Sequence, residues 1–113
     1  MKYVVAIIQP HKLDEVRDEL KKADINLITV TPVLGCGRQE GHTTVYRGYE
    51  EMGNLLKKIK IEIAVSDPFL QPTIDAIKRG ARTGEIGDGK VFIFDLEGVM
   101  RIRTGEMGSE AIG

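Results

Sequence analysis

Between Lys58 and Val65 the chain alternates without a break. Ile59, Ile61, Ile63 and Val65 stand against Lys58, Lys60, Glu62 and Ala64. A period of two is the signature of a β-strand with unlike faces. One face of this strand belongs to a core and the other carries charge. A chain built around it lays its helices on one side of its sheet only. The charged side then faces solvent or another subunit.

The remaining segments fit that plan. Tyr3–Ile8 is a continuous apolar run ended by Pro10 and predicts a buried strand. From Lys12 to Ala23, apolar residues at Leu13, Val16, Leu20 and Ala23 make one helical stripe. Ile25–Leu34, rich in β-branched residues, predicts a second strand, with Pro32 marking an edge or a bulge. From Gly35 to Asn54 glycines and polar residues show no periodicity, which predicts a long loop, disordered when free.

Asp67 and Pro68 read as a helix N-cap and first position. Leu70, Ile74, Ile77 and Ala81 form the second stripe, Pro72 marks an irregular start, and Gly80 with the glycine-rich run after it ends the helix. Val91–Leu96 is the fourth strand, Arg101–Arg103 a short extended piece, and the tail from Gly105 loose. The order β-α-β-β-α-β predicts an α+β, ferredoxin-like fold. It has one antiparallel four-stranded sheet with both helices on one face.

At 113 residues, one domain covering 1–113 is expected. A net charge of −1 supplies no general attraction to nucleic acid or anionic membrane. With no Trp, three Phe and three Tyr, base-stacking platforms are not evident. A single cysteine, Cys36, precludes an internal disulfide framework. The N-terminal apolar run is too short for a signal peptide, and no apolar stretch approaches the ~18 residues that span a bilayer. A cytoplasmic protein with no direct membrane insertion is expected.

The run Thr83–Phe92 carries the chemistry. Glycines at 84, 87 and 89 bracket Asp88 and lead into Lys90. Glycines let several backbone N–H groups turn toward one point, and the lysine adds a positive charge, a combination suited to polyphosphate. The Walker order of glycines and lysine is absent. On these residues alone, a plain glycine-rich turn between helix and strand is the reading favoured over phosphate binding.

Three blocks resemble the PII signal-transduction family, the nitrogen-regulatory trimers. They are Gly35-Cys-Gly-Arg-Gln-Glu-Gly-His-Thr continuing through Tyr46-Arg-Gly48, Thr83-Gly-x-x-Gly-Asp-Gly-Lys-Val-Phe92, and Arg101-Ile-Arg-Thr-Gly-Glu106. Lys57-Lys-Ile-Lys-Ile-Glu62 also fits, and the likeness covers the whole chain.

The resemblance implies a non-enzymatic homotrimer, with ATP or ADP bound between neighbouring subunits and 2-oxoglutarate joining Mg-ATP. It places a partner-docking T-loop at about residues 37–55, a phosphate-binding B-loop at about 82–90 and a C-terminal loop at 101–113. The implied partners are an ammonium channel or nitrogen-metabolism enzymes. Phosphate contacts fall to Gly35, Gly37, Arg38, the backbone of Gly87, Asp88 and Gly89, Lys90, and Arg101 and Arg103 from across the boundary. Cys36 packs near the cleft.

By the same resemblance Ile7, Ile28, Thr29 and Ala64 line the base, though each also reads as plain core. Gln39 helps hold Mg²⁺ with phosphate and 2-oxoglutarate oxygens, an oxygen-rich shell that suits the ion. Gly37 and Gly41 approach 2-oxoglutarate. Lys58 pairs with its carboxylate, or with Glu62 in its absence. Tyr46, Arg47, Gly48, Tyr49 and Glu51 form the docking tip.

The chain also departs from the family. Glu51 stands where many bacterial members carry the uridylylated tyrosine, so no uridylylation is expected there. Gln9 replaces a basic residue near the 2-oxoglutarate pocket, and Glu40 adds like charge; both predict weaker 2-oxoglutarate binding. An energy-charge sensor acting on a different partner is one alternative, and a slow ATPase another, although no convincing general base stands near Lys90. A metal-tolerance trimer of similar build is disfavoured by the nucleotide blocks, and Cys36 with His42 makes a weak metal pair.

Overall fold

The computed structural model describes residues 1–36, 44–46, 49–51 and 55–112, the two short internal segments by backbone alone. Strand β1 (Lys2–Ile8) leads through a 3₁₀ turn at Pro10–Lys12 into helix α1 (Leu13–Lys22). Strand β2 (Thr29–Gly35), the short pair β3 (Thr44–Tyr46) and β4 (Tyr49–Glu51), and the long β5 (Leu56–Val65) follow. A second 3₁₀ turn, Asp67–Phe69, opens helix α2 (Leu70–Ala81), and β6 (Gly89–Asp95) completes the sheet. The main sheet runs β2-β5-β1-β6 with antiparallel neighbours throughout. This is the ferredoxin-like α+β fold.

The alternation in β5 fixes which side is buried. Ile61, Ile63 and Val65 join Val4, Ala6 and Ile8 of β1 in the core, under Val16 and Leu20 of α1 and Ala76 and Ile77 of α2. Acidic residues in the first turn of α1 and lysines in its last complement the helix dipole. The helix stops at Asp24, whose left-handed backbone (φ 61°) a short polar side chain tolerates. Its reversal drops Ile25 into the core without pairing it, so β2 begins at Thr29 rather than at Ile25. Pro32 sits on an edge strand, where its missing N–H costs no ladder bond to a further strand.

Five other expectations are corrected. The segment 35–54 contains a two-stranded hairpin pairing Thr44 with Glu51 and Tyr46 with Tyr49; runs of three residues are too short to show periodicity. Asp67 is not the α2 N-cap but the first residue of the 3₁₀ turn, and it pairs with the Met1 amine at 2.8 Å.

Gly80 does not end α2, which runs on to Ala81. A Cβ at Gly80 would stand 2.6 Å from Val16 Cα, so glycine is there to let the two helices touch. An Arg79–Glu19 ion pair at 3.0 Å bridges the same helices. Arg101–Arg103 is not extended, because Gly105 N–H closes a turn onto the Arg101 carbonyl at 2.7 Å. The tail after it is held by a bridge between Met100 and Met107 and a 3₁₀ turn at Ser109–Ala111.

No helix among the described residues is long and apolar enough to cross a membrane.

Candidate functional site

The face of the sheet away from the helices is organised in cross-strand rows. Thr29, Glu62, Val5 and Phe92 stand in one row, and Thr31, Lys60, Ile7 and Lys90 in the next. Beyond them Lys58 and Val33 are paired at the end of the sheet where the glycine turn emerges. Phe92 and Phe94 are 46% and 53% exposed on this face, so it carries aromatic surface beside its charges.

The turn between α2 and β6 is ordered from within by Asp88. One carboxylate oxygen accepts the N–H groups of Thr83 and Gly84, both at 2.9 Å, and the other accepts the Thr83 hydroxyl at 2.5 Å. The Thr83 hydroxyl bond, and then the two amides, hold the Asp88 carboxyl below the usual carboxylate range. Asp88 is thereby committed as an acceptor within the turn rather than as a base.

Gly89 begins β6 with φ +110°, and a Cβ there would lie 1.8 Å from the Ile7 carbonyl oxygen. Only glycine lets the strand start so close to β1, and that start sets Lys90 opposite Ile7. A cavity of about 320 Å³ opens beside it, lined by Ile8, Ile77, Lys78, Arg82, Asp88 and Lys90 among others.

Two side chains, Lys58 of β5 and Gln9 just past the end of β1, grip the same turn from outside. Gln9 Nε2 donates to the Gly87 carbonyl at 2.7 Å, and Lys58 Nζ donates to the same oxygen at 3.2 Å. The pairing of Lys58 with Glu62 implied by the resemblance is not what this structure holds. Glu62 accepts instead from the Tyr3 hydroxyl and pairs with Lys60 at 3.4 Å. Four residues of strand separate Lys58 and Glu62 by ~13 Å along β5, and each finds a nearer partner. The Tyr3 phenol is pushed up to about 12 by its bond to Glu62, which lowers the Glu62 carboxyl in turn. Lys60 is thus a partner of Glu62, and Tyr3 is a residue of this face that the sequence did not single out.

The other predicted residues lie apart. Gly35 ends β2 against Lys58, whose Cγ would be 3.3 Å from a Cβ there, and the Cys36 thiol is exposed. Thr29 and Ala64 sit toward the opposite end of the sheet, and Ile28 packs at the core margin. Ala64 lines a cavity of about 280 Å³ with Leu27, Phe69, Ser109 and Ile112.

Arg101 is at that end too. It donates to the Glu110 carbonyl at 3.0 Å and pairs with Glu106 at 3.5 Å. Arg103 is exposed in the adjoining turn. From the glycine turn to this end is roughly 20 Å of strand. One chain therefore does not bring Lys90 and Arg101 to one ligand. Gly37, Arg38, Gln39, Gly41, Arg47 and Gly48 lie outside the described residues, as do the side chains of Tyr46, Tyr49 and Glu51.

The site is thus a glycine turn at one end of a one-sided ferredoxin-like sheet, gripped by Lys58 and Gln9. The family model for nitrogen regulatory protein P-II matches residues 1–106. Nitrogen regulatory protein GlnK1 of Methanosarcina mazei is 54% identical over 114 residues, spanning 99% of this chain and 97% of its own. Nitrogen regulatory protein P-II 1 of Escherichia coli is 54% identical over 112 residues, spanning 99% and 100%. The chain belongs to the P-II family of nitrogen regulatory signal-transduction proteins.

Proposed function

We propose that this protein senses adenine nucleotide and 2-oxoglutarate and relays their state to nitrogen-metabolism partners. ATP and ADP compete for the glycine turn, and the segment 37–55 docks. The observation that carries this reading is the turn itself. Asp88 fixes its backbone, Lys90 stands beside it, and the Lys58 ammonium reaches its Gly87 carbonyl. A polyphosphate would find glycine backbone and the Lys90 cation there, and a dicarboxylate finds Lys58 adjacent.

The two ends of the site belong to different copies in this reading. Phosphates bind at Gly87, Gly89 and Lys90 of one subunit, with Arg101 and Arg103 supplied by a neighbour. Ile7, Ile28, Thr29 and Ala64 supply the base-lining surfaces. The separation of ~20 Å within one chain supports such sharing. So does the aromatic surface of Phe92 and Phe94 on the open face. A homotrimer satisfies both and predicts a solution mass three times the 12.5 kDa of the chain.

Gln39 completes a Mg²⁺ shell with ligand oxygens, as donor chemistry permits. Partners are an ammonium channel or nitrogen-metabolism enzymes, and the working compartment is the cytoplasm. No step of bond chemistry is assigned, since the carboxylate nearest the turn is already committed to it.

Calorimetric titration tests the proposal. ATP with Mg²⁺ is expected to bind and to make a following 2-oxoglutarate titration visible. Nucleotide binding with no response to 2-oxoglutarate supports an energy-charge sensor instead, a reading that the neutral Gln9 amide favours. Absence of nucleotide binding would sink both.

A further inference from the structure

The Gly87 carbonyl has two lone pairs, and both are used by side chains from outside the turn. One donor, Lys58, is charged and answers to any anion that enters. The other, Gln9, is neutral and does not. We infer that Gln9 is a positioning residue that keeps the phosphate-binding turn in place when an anion draws Lys58 away. This rests on the nucleotide and dicarboxylate reading above and assigns a division of labour within that site.

Three observations carry it. Gln9 Nε2 makes the shorter of the two bonds, 2.7 Å against 3.2 Å. Its backbone is fixed: Pro10 follows it, it sits extended at φ −68° and ψ 138°, and its carbonyl accepts Lys12 N–H at 3.0 Å. The amide also fills the space over the turn, since a Cβ at Gly87 would meet Gln9 Nε2 at 3.0 Å while Lys58 Nζ lies at 4.0 Å. Internal bonds from Asp88 give the turn its shape. Gln9 ties that shape to the end of β1, the strand whose Ile7 stands opposite Lys90.

A cation at position 9 would donate to the same carbonyl but would itself be drawn to an entering dianion. With glutamine the turn stays anchored while Lys58 changes partner, so nucleotide affinity depends less on dicarboxylate.

The test uses the full chain and three proteins: wild type, Gln9→Met, which keeps length and loses the donor, and Gln9→Arg, which restores a donor. Hydrogen exchange of the backbone amides at 84–90 is measured without ligand, and ATP is titrated into each. Gln9→Met is expected to exchange roughly fivefold faster in the turn and to bind ATP weaker by a similar factor, the worth of one hydrogen bond. Gln9→Arg is expected to return exchange to the wild-type rate and to make ATP affinity more sensitive to added 2-oxoglutarate.

Unchanged exchange in Gln9→Met, or exchange in Gln9→Arg as fast as in Gln9→Met, overturns the inference even where wild type binds ATP normally. A wild type that binds no ATP removes the sensing role, while the exchange series still decides whether Gln9 holds the turn.

Discussion

Replacing Gly89 with alanine separates two costs that meet in the glycine turn. The added Cβ would lie 1.8 Å from the Ile7 oxygen, 2.8 Å from the Ile7 carbonyl carbon and 3.3 Å from Ile8 Cα, all backbone atoms of β1. Ordinary C···O contacts begin near ~3.3 Å, so the strands must part by ~1.5 Å at this point. Because β1 is paired to β5 on its other side, the movement falls on β6 and carries Lys90 with it.

The positive φ itself costs an alanine ~1–3 kcal/mol. One or two weakened ladder bonds add ~1 kcal/mol each, and the stiffer unfolded chain returns ~0.4–1 kcal/mol. The net loss is ~1–5 kcal/mol. Gly84→Ala is the matched control, with φ +90° and nothing within 4 Å of its Cβ, so it bears the torsional cost alone. Urea unfolding followed by circular dichroism, at one protein concentration because assembly would shift the midpoint, is expected to place Gly89→Ala ~1–2 kcal/mol below Gly84→Ala, the worth of the ladder bonds. ATP affinity should fall more in Gly89→Ala, since only that change displaces Lys90. Equal stability of the two variants would refute the close approach of β6 to Ile7 as the reason for glycine.

Three further outcomes follow from the geometry and the sequence. Tyr3 has its folded pKa raised to about 12, so its bond to Glu62 contributes fully below the ordinary phenol value of ~10 and is lost as pH rises through about 12. An alkaline absorbance titration should show a late phenol that Tyr3→Phe removes, and its absence would contradict the pair. Asp88 is shifted the other way: its bonds contribute above the ordinary carboxylate range and are lost as pH falls through its lowered folded pKa. Thr83→Val should move the Asp88 midpoint upward in a carboxyl NMR titration, and an unmoved midpoint would show that the hydroxyl does not hold it. With Glu51 at the usual modification position, treatment with a uridylyltransferase and UTP should leave the intact mass unchanged; a UMP adduct on Tyr46 or Tyr49 would reverse that expectation.

The sheet, both helices and the one-sided core were legible because burial on a strand or helix imposes a period, and the period survives in the residues. What sequence periodicity misread were contacts between elements distant in the chain. Gly80 reads as a terminator because glycine commonly is one, whereas its role is set by the Val16 backbone on another helix. Glu62 and Lys58 share a strand face, which suggests a pair. Tyr3, 59 residues away in sequence, and the Gly87 carbonyl provide nearer partners. Arg101 and Arg103 alternate like strand residues, yet Gly105 folds that segment back on itself. The glycine turn was legible as a place for phosphate, but its internal lock by Asp88 needed coordinates.

Two of the cations on which the proposed ligands depend are already in use. Lys58 holds the Gly87 carbonyl, and Arg101 holds Glu106 and the Glu110 carbonyl. An entering anion therefore gains only the difference between its own contacts and those it breaks. For pairs near the surface the broken contacts are worth ~0–1 kcal/mol each, so the exchange is cheap. The consequence differs between the two ends, because Gln9 still holds the turn before β6 when Lys58 leaves, whereas the tail gives up its contacts to Arg101. A ligand that favours the released arrangement by ~1.4 kcal/mol shifts that equilibrium tenfold, and one that binds both arrangements equally shifts nothing. Weak internal bonds to loop carbonyls thus suit a sensor better than strong ones. Strengthening them, as an added carboxylate beside Lys58 would, should cost response before it costs folding.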